Sequence, residues 1–156
     1  MTPNLLLRLV RAGLVTGVTD ALFSSALAAF VYGSTVTRLW QGVASTLLGG
    51  AAFDGGARTA AIGLAMHFGV AFAWSAVFLG LVLSWSWLRD VLVSPYGVIT
   101  VATVYGPVIW LVMSLAVIPM LTHRPPAINV RWWVQLVGHC PFVGLPIVAL
   151  ISWSHS

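Results

Sequence analysis

The chain has no lysine, no glutamate and a single cysteine. Charge is scarce throughout: seven arginines and three aspartates make up only 6% of 156 residues, for a net charge of +4. Soluble domains are about a quarter charged, because a small domain leaves much of its surface in water. A chain this poor in charge has too little polarity to cover such a surface. One cysteine excludes an internal disulfide, a CxxC pair and a cysteine-based zinc cluster. The absence of glutamate excludes HExxH, and neither a P-loop nor a GxSxG elbow is present. Paired-carboxylate chemistry is left with Asp20, Asp54 and Asp90, which the pattern puts at different levels. The sequence therefore predicts a protein that is not an enzyme.

Apolar residues are plentiful instead: they form 60% of the chain, and the mean hydropathy is +1.00. Four long apolar runs cover about 12–33, 59–83, 96–121 and 132–152. Each reaches the ~20 residues that cross a ~30 Å hydrocarbon layer as a helix. Helices satisfy their own backbone where no water is present, and the runs are too long for barrel strands. The expected fold is an all-α membrane protein, with residues 1–156 forming one four-span domain. A pI near 10 suggests nucleic acid in a soluble chain, but these arginines stand singly at the ends of apolar runs. They read as interface anchors, with the lipid bilayer as partner and no nucleic acid. Trp85, Trp87, Trp132, Trp133 and Trp153 fall at run ends, as the headgroup level favours, and Trp40 falls just past the first run. Trp74 and Trp110 fall mid-run and are expected to pack between helices.

Two segments need separate reading. Arg8 and Arg11 before an apolar stretch, with Ala26-Leu27-Ala28 after it, imitate a signal peptide. Asp20 interrupts that stretch, so the segment reads as the first span. Between the first two runs, Leu39, Trp40, Val43 and Leu47 recur at helical spacing, which predicts a short amphipathic helix in the interface. Gly49-Gly50 and Asp54-Gly55-Gly56 then turn the chain back. Arg8, Arg11 and Arg89 lie on one side, and Arg38, Arg58, Arg124 and Arg131 on the other. The count favours the second group as cytoplasmic, whereas the first span's charges favour a cytoplasmic N-terminus, which is the orientation expected.

Small residues recur every fourth position. The first span has Gly13, Gly17, Ala21, Ser25, Ala29 and Gly33; the second has Ala61, Ala65, Gly69 and Ala73. Such grooves let helix backbones approach closely in lipid, so these two spans are expected to pack on each other or on a second copy. Pro107, Pro119, Pro141 and Pro146 should kink the third and fourth spans and free carbonyls that need other partners.

The two halves also resemble each other. Gly13-Leu14-Val15-Thr16 matches Gly97-Val98-Ile99-Thr100, Thr19 matches Thr103, and Leu64-Ala65-Met66-His67 matches Leu136-Val137-Gly138-His139. This predicts a two-helix hairpin used twice, with its symmetry axis along the membrane normal. The order of a glycine-rich first helix, an early histidine in the second, Ile118-Pro119, Arg124-Pro125-Pro126 and Gly138-His139 resembles the YagU-like group of small bacterial inner-membrane proteins. Arg38 to Gly49 and His67-Phe68 bring it still closer to a set of uncharacterised bacterial four-helix membrane proteins. The resemblance covers roughly residues 12–150. It implies a bacterial inner membrane and a cytoplasmic N-terminus, and no settled activity. The chain departs from the group in having a lone Arg89 where relatives carry several basic residues.

Ionisable side chains inside a bilayer cost a few kcal/mol each and are functional candidates by default. Here they are Asp20, His67 and His139. With the run boundaries above, both histidines fall about 11 Å from one face, and Asp20 about 8 Å from their level. Direct contact would need a shifted boundary or a water. Thr16, Thr19, Ser24, Thr103 and Tyr105 are candidates to extend a hydrogen-bonded path. Three functions follow. The first is a non-enzymatic structural or accessory component of a membrane assembly, either a homo-oligomer or a subunit of a larger complex. The second is a small proton-coupled transporter or channel using Asp20, His67 and His139. The third is a pigment- or haem-binding subunit in which His67 or His139 ligates chlorophyll or haem. No cofactor is expected on the first two readings. His139-Cys140 gives too few ligands for a closed metal site.

Overall fold

The computed structural model describes residues 3–152. Among them there is no strand, and four helices are long and apolar enough to cross a membrane: Asn4–Val31, Gly56–Ser84, Gly97–Thr122 and Val130–Ser152. The first comprises α1 (Pro3–Ala26) and a π turn, Leu27–Val31. Next come α2 (Val36–Leu48), a 3-10 turn (Gly49–Asp54), α3 (Gly56–Ser84) and the short α4 (Ser86–Leu92). The third spanning helix is α5 (Gly97–Val112), a π turn (Met113–Val117) and α6 (Ile118–Thr122). The fourth is α7 (Val130–His139), a π turn (Cys140–Gly144) and α8 (Leu145–Ser152). Trp153 lies outside the described residues.

The first helix begins nine residues earlier than the apolar run suggested. Arginine is a good helix former, and Arg8 serves the helix bundle rather than ending the helix. Its Nη1 donates to the Ile151 carbonyl at the end of α8, at 3.4 Å. Arg89 does the same for α3, donating from Nη1 to Val82 O at 2.7 Å and Leu83 O at 3.2 Å. Both satisfy terminal carbonyls that a helix leaves unpaired.

Three of the four prolines free carbonyls that find donors. Pro107 removes the partner of Thr103 O, which the Cys140 thiol approaches at 3.8 Å. Pro146 does so for Phe142 O, and the Thr19 hydroxyl of α1 donates to that oxygen at 2.7 Å. Pro141 frees Val137 O, which accepts from the Cys140 amide. The π turns beside Pro119, Pro141 and Pro146 are the local unwinding that these losses produce.

The small-residue grooves behave differently from expectation. Gly13 and Gly17 of α1 do seat α3, but against aromatic rings: a Cβ at Gly13 would meet Phe72, and one at Gly17 would meet Phe68. The stripe on α3 (Ala61, Ala65, Gly69, Ala73) faces outward, and a Cβ at Gly69 would meet nothing within 4 Å. The two stripes thus do not meet, because α3 turns its phenylalanines to α1 and its small residues away. The backbones that do touch are elsewhere. A Cβ on Gly63 would strike the Trp40 carbonyl, one on Gly106 the His139 carbonyl, and one on Gly144 the Ala102 carbonyl. These close approaches fix α2 on α3, and α5 on the fourth helix.

At the α4 end, Phe78, Leu79, Val82, Leu88, Leu92, Ile147 and Ile151 form an apolar core. At the other end α2 closes over the bundle. A 13-residue helix is about 20 Å long, too short to cross. Thr35 caps it by accepting from the Arg38 amide at 3.1 Å. Its buried face is Trp40, Gln41 and Ala44, whereas Leu47, counted on the apolar stripe, is exposed. Gln41 Nε2 donates to Gly56 O at 3.2 Å, tying α2 to the start of α3.

Candidate functional site

The helix ends at Val31, Gly56 and Val130 set the levels of the polar residues. Asp20 stands 11 residues before the end of the first spanning helix at Val31. His67 stands 11 residues after the start of α3, and His139 nine after the start of α7. At 1.5 Å per residue all three lie roughly 14–16 Å from the same end of the bundle. The 8 Å offset inferred from the apolar runs vanishes, because the first helix ends at Val31, two residues before its run, and α3 starts at Gly56, three before its own. Asp20 Oδ2 and His67 Nδ1 are 3.8 Å apart, and this is the one ion-pair geometry among the described residues. Both Asp20 and His67 are within electrostatic range of His139.

The hydrogen bonds fix the tautomers. His67 Nε2 is 3.0 Å from the Gly17 carbonyl oxygen. A carbonyl only accepts, so Nε2 bears the proton and, in the neutral ring, Nδ1 is a bare lone pair. That lone pair faces the Asp20 carboxyl. At 3.8 Å the two groups face each other without a hydrogen bond, close enough for each to feel the other's charge. The same logic applies to His139. Its Nδ1 is 2.7 Å from Gln135 O and must donate, which leaves Nε2 as a free base. The site therefore sets one ring nitrogen of His67 facing the Asp20 carboxyl, beside a second histidine with an open acceptor, on three helices.

Packing holds these groups in place. Trp40 lies 5.1 Å from His67, and Phe68 closes the ring edge at 5.8 Å. Trp110 lies 5.0 Å from His139. Phe23 and Phe142 stack at 4.4 Å below, and a Cβ on Gly138 would meet Phe23. Asp20 is 9% exposed, His139 7% and Thr16 1%. Buried side-chain atoms without a partner among the described residues include Thr16 Oγ1, Asp20 Oδ1, Trp110 Nε1 and Gln135 Oε1. An unpaired buried polar atom costs about 1–3 kcal/mol, and such atoms ordinarily find a partner or have a use. Here they gather along one seam.

A cavity of about 430 Å³ opens beside this seam, between α2, α5–α6, α7 and the segment joining α6 to α7. Arg124, Asn129 and Arg131 stand on that segment and at the start of α7; Trp110, Ser114, Trp132 and Gln135 lie deeper along the two spanning helices. Trp132 Nε1 donates to Ser114 Oγ at 3.0 Å, and Gln135 Nε2 to Ser24 Oγ at 3.4 Å. Gln135 thereby joins cavity and seam: its side chain lines the one, and its carbonyl holds His139.

Other candidates lie elsewhere. Thr103 is exposed and bonds only within its own helix, at 3.0 Å to Ile99 O and 2.9 Å to Thr100 O. Tyr105 donates to Trp74 O at 2.8 Å and packs on Phe78, so it closes the apolar core rather than extending a path. Thr19 serves the Phe142 carbonyl. Trp74 and Trp110 pack between helices as expected, but Trp132, read as an interface residue, is buried beside Ser114. Gln135, Ser114 and Trp110 were not singled out from the sequence as site residues. Gln135 had a signal, since a glutamine one turn from a buried histidine inside a span is costly unless bonded. Among the described residues no three His, Cys, Asp or Glu side chains gather closely enough to hold a metal. No family model, curated protein or solved structure matches the chain.

Proposed function

We propose that this chain is a small proton-coupled transporter of a bacterial inner membrane, in which Asp20, His67 and His139 take up and release the proton. The observation behind this reading is the 3.8 Å Asp20–His67 approach within the bundle, where the Gly17 bond to Nε2 leaves Nδ1 as the nitrogen that faces the carboxyl. A buried acid facing a ring nitrogen, on the same level as a second histidine with a bare nitrogen, is a set of stations suited to passing a proton. With the N-terminus cytoplasmic, as the resemblance to the YagU-like group implies, the cavity faces the outside of the cell, where an inward proton gradient would load it. The two-hairpin repeat belongs to this proposal too. Matched Thr19 and Thr103 make the same intrahelical bonds, although any helical threonine tends to do so. The pigment reading has less support, because both His67 nitrogens already face Gly17 and Asp20 and only His139, through its bare Nε2, is left as a ligand.

The test is proton movement in proteoliposomes under an imposed pH gradient. The wild-type protein should dissipate the gradient faster than empty liposomes, and His67→Ala should match the empty ones. Equal rates for wild type and empty liposomes would end the proposal.

A second reading, a structural component that assembles with itself, has one observation in its favour: the outward stripe of Ala61, Ala65, Gly69 and Ala73 on α3. Gly69→Leu fills that groove without touching the rest of the chain. It should convert an oligomer to a monomer on a native gel in mild detergent. A wild-type protein that already migrates as a monomer would remove this reading.

A further inference from the structure

The cavity has a chemical character of its own. Its volume, about 430 Å³, is that of a small-ligand pocket. No acidic residue lines it, and it contains two arginines. The Arg131 guanidinium lies 4.4 Å over the Tyr32 ring, which positions the group while leaving its N–H edge free of any acidic partner among the described residues. Arg124 stands on the same segment, seven residues away. The deeper wall is aromatic: Trp110 and Trp132 lie 6.3 Å apart, centroid to centroid, at 50°. Two cations without counter-ions among the described residues, above a pair of indoles, suit a molecule with one anionic end and a flat apolar body.

We infer that the cavity between α2, α5–α6 and α7 binds a small organic carboxylate, its charge held by Arg124 and Arg131 and its apolar body set against Trp110 and Trp132. This rests on the transporter reading and names the substrate class for it. Guanidinium and carboxylate match as a planar fork, two N–H donors to two oxygens. The indole faces supply the apolar contact that a charge alone does not select. Gln135, which lines the cavity and whose carbonyl holds His139, places this substrate one helical turn from the proton relay. An anion seated there would favour a protonated relay, which is the sign needed for the two to move inward together. The same anionic chemistry occurs on a lipid headgroup, so the source must be separated by experiment.

The probe is 4-nitrobenzoate, a quencher of tryptophan fluorescence, titrated against the full chain in nanodiscs of phosphatidylcholine. Its uncharged counterpart, 4-nitrobenzamide, has nearly the same shape. Saturable quenching by the carboxylate, with an affinity at least about tenfold above the amide, is the expected result. The double variant Arg124→Ala, Arg131→Ala should lose that preference while keeping the wild-type melting temperature, since both side chains are exposed. Equal affinity for carboxylate and amide, or an unchanged preference in the double variant, would overturn the inference. Phosphatidylglycerol nanodiscs form the second arm. Unchanged binding supports a soluble carboxylate; binding abolished by the anionic lipid would assign the cavity to a headgroup and overturn the solute. No pH gradient is applied here and no proton is counted. Failure of this binding and failure of proton flux are therefore separate results.

Discussion

Asp20→Asn will fold normally and move no protons. The amide has almost the shape of the carboxyl, and its NH2 group can turn toward His67 Nδ1, which lies 3.8 Å from the carboxyl oxygen in the wild type. The contact is thus satisfied without an ionisable group, and stability should stay within about 1 kcal/mol of wild type. Transport is a different matter. An amide neither accepts nor releases a proton near neutral pH, so the relay keeps His67 locked as a neutral ring between Gly17 and the amide. Flux in proteoliposomes should drop to that of empty liposomes, with the thermal midpoint in detergent little changed. Wild-type flux in this variant would mean that the buried acid is only a packing group. Loss of both fold and flux would mean that the charge itself is structural. Only the combination of intact fold and lost flux agrees with a proton that passes through Asp20.

The second large effect is a loss of stability from a single methyl group. Gly106→Ala should destabilise the protein by about 2 kcal/mol, in the range measured for overpacked sites. Helix propensity argues the other way, since alanine in a helix interior is favoured over glycine by about 1 kcal/mol. The structure decides the sign. A Cβ at Gly106 would strike the His139 carbonyl oxygen and come within 2.6 Å of its carbonyl carbon, both backbone atoms that have no rotamer to escape by. α5 and α7 would have to separate, and His139 would shift with them. Gly80→Ala is the matched control, because a Cβ there meets nothing within 4 Å. Thermal melting of both variants in one detergent should give opposite signs. A neutral or stabilised Gly106→Ala would show that the α5–α7 approach is looser than described.

The level of the site was only half legible. The charges that are expensive in an apolar helix announced themselves: Asp20, His67 and His139 stand out because their neighbours in sequence are almost all apolar or small. Their separation was misjudged because an apolar run is a poor ruler for a helix. The first helix ends at Val31, two residues before its run, and α3 starts at Gly56, three before its own, which brings Asp20 and His67 to one level. Gln135, Trp110 and Ser114 were passed over for a related reason. A glutamine, a tryptophan and a serine in an apolar span acquire meaning only from what stands across the groove, and that is set by helix rotation. The α3 stripe shows the same limit. Its four-residue spacing promised a packing face, yet spacing names a face without saying which neighbour it meets.

What the sequence determined by itself is the kind of molecule. With almost no charge and four apolar stretches near twenty residues, the backbone can satisfy its polar groups only by coiling, and each stretch becomes a helix whatever its neighbours do. That is a local rule, and local composition suffices for it. Which side chains meet was decided only by the tertiary structure. The Gly63–Trp40 and Gly106–His139 approaches bring backbones together and set how each helix is turned. That turn points His67 at Asp20, and Gln135 toward both the cavity and Ser24. Rotation about a helix axis depends on contacts between residues far apart in the chain, and no single stretch of sequence contains it.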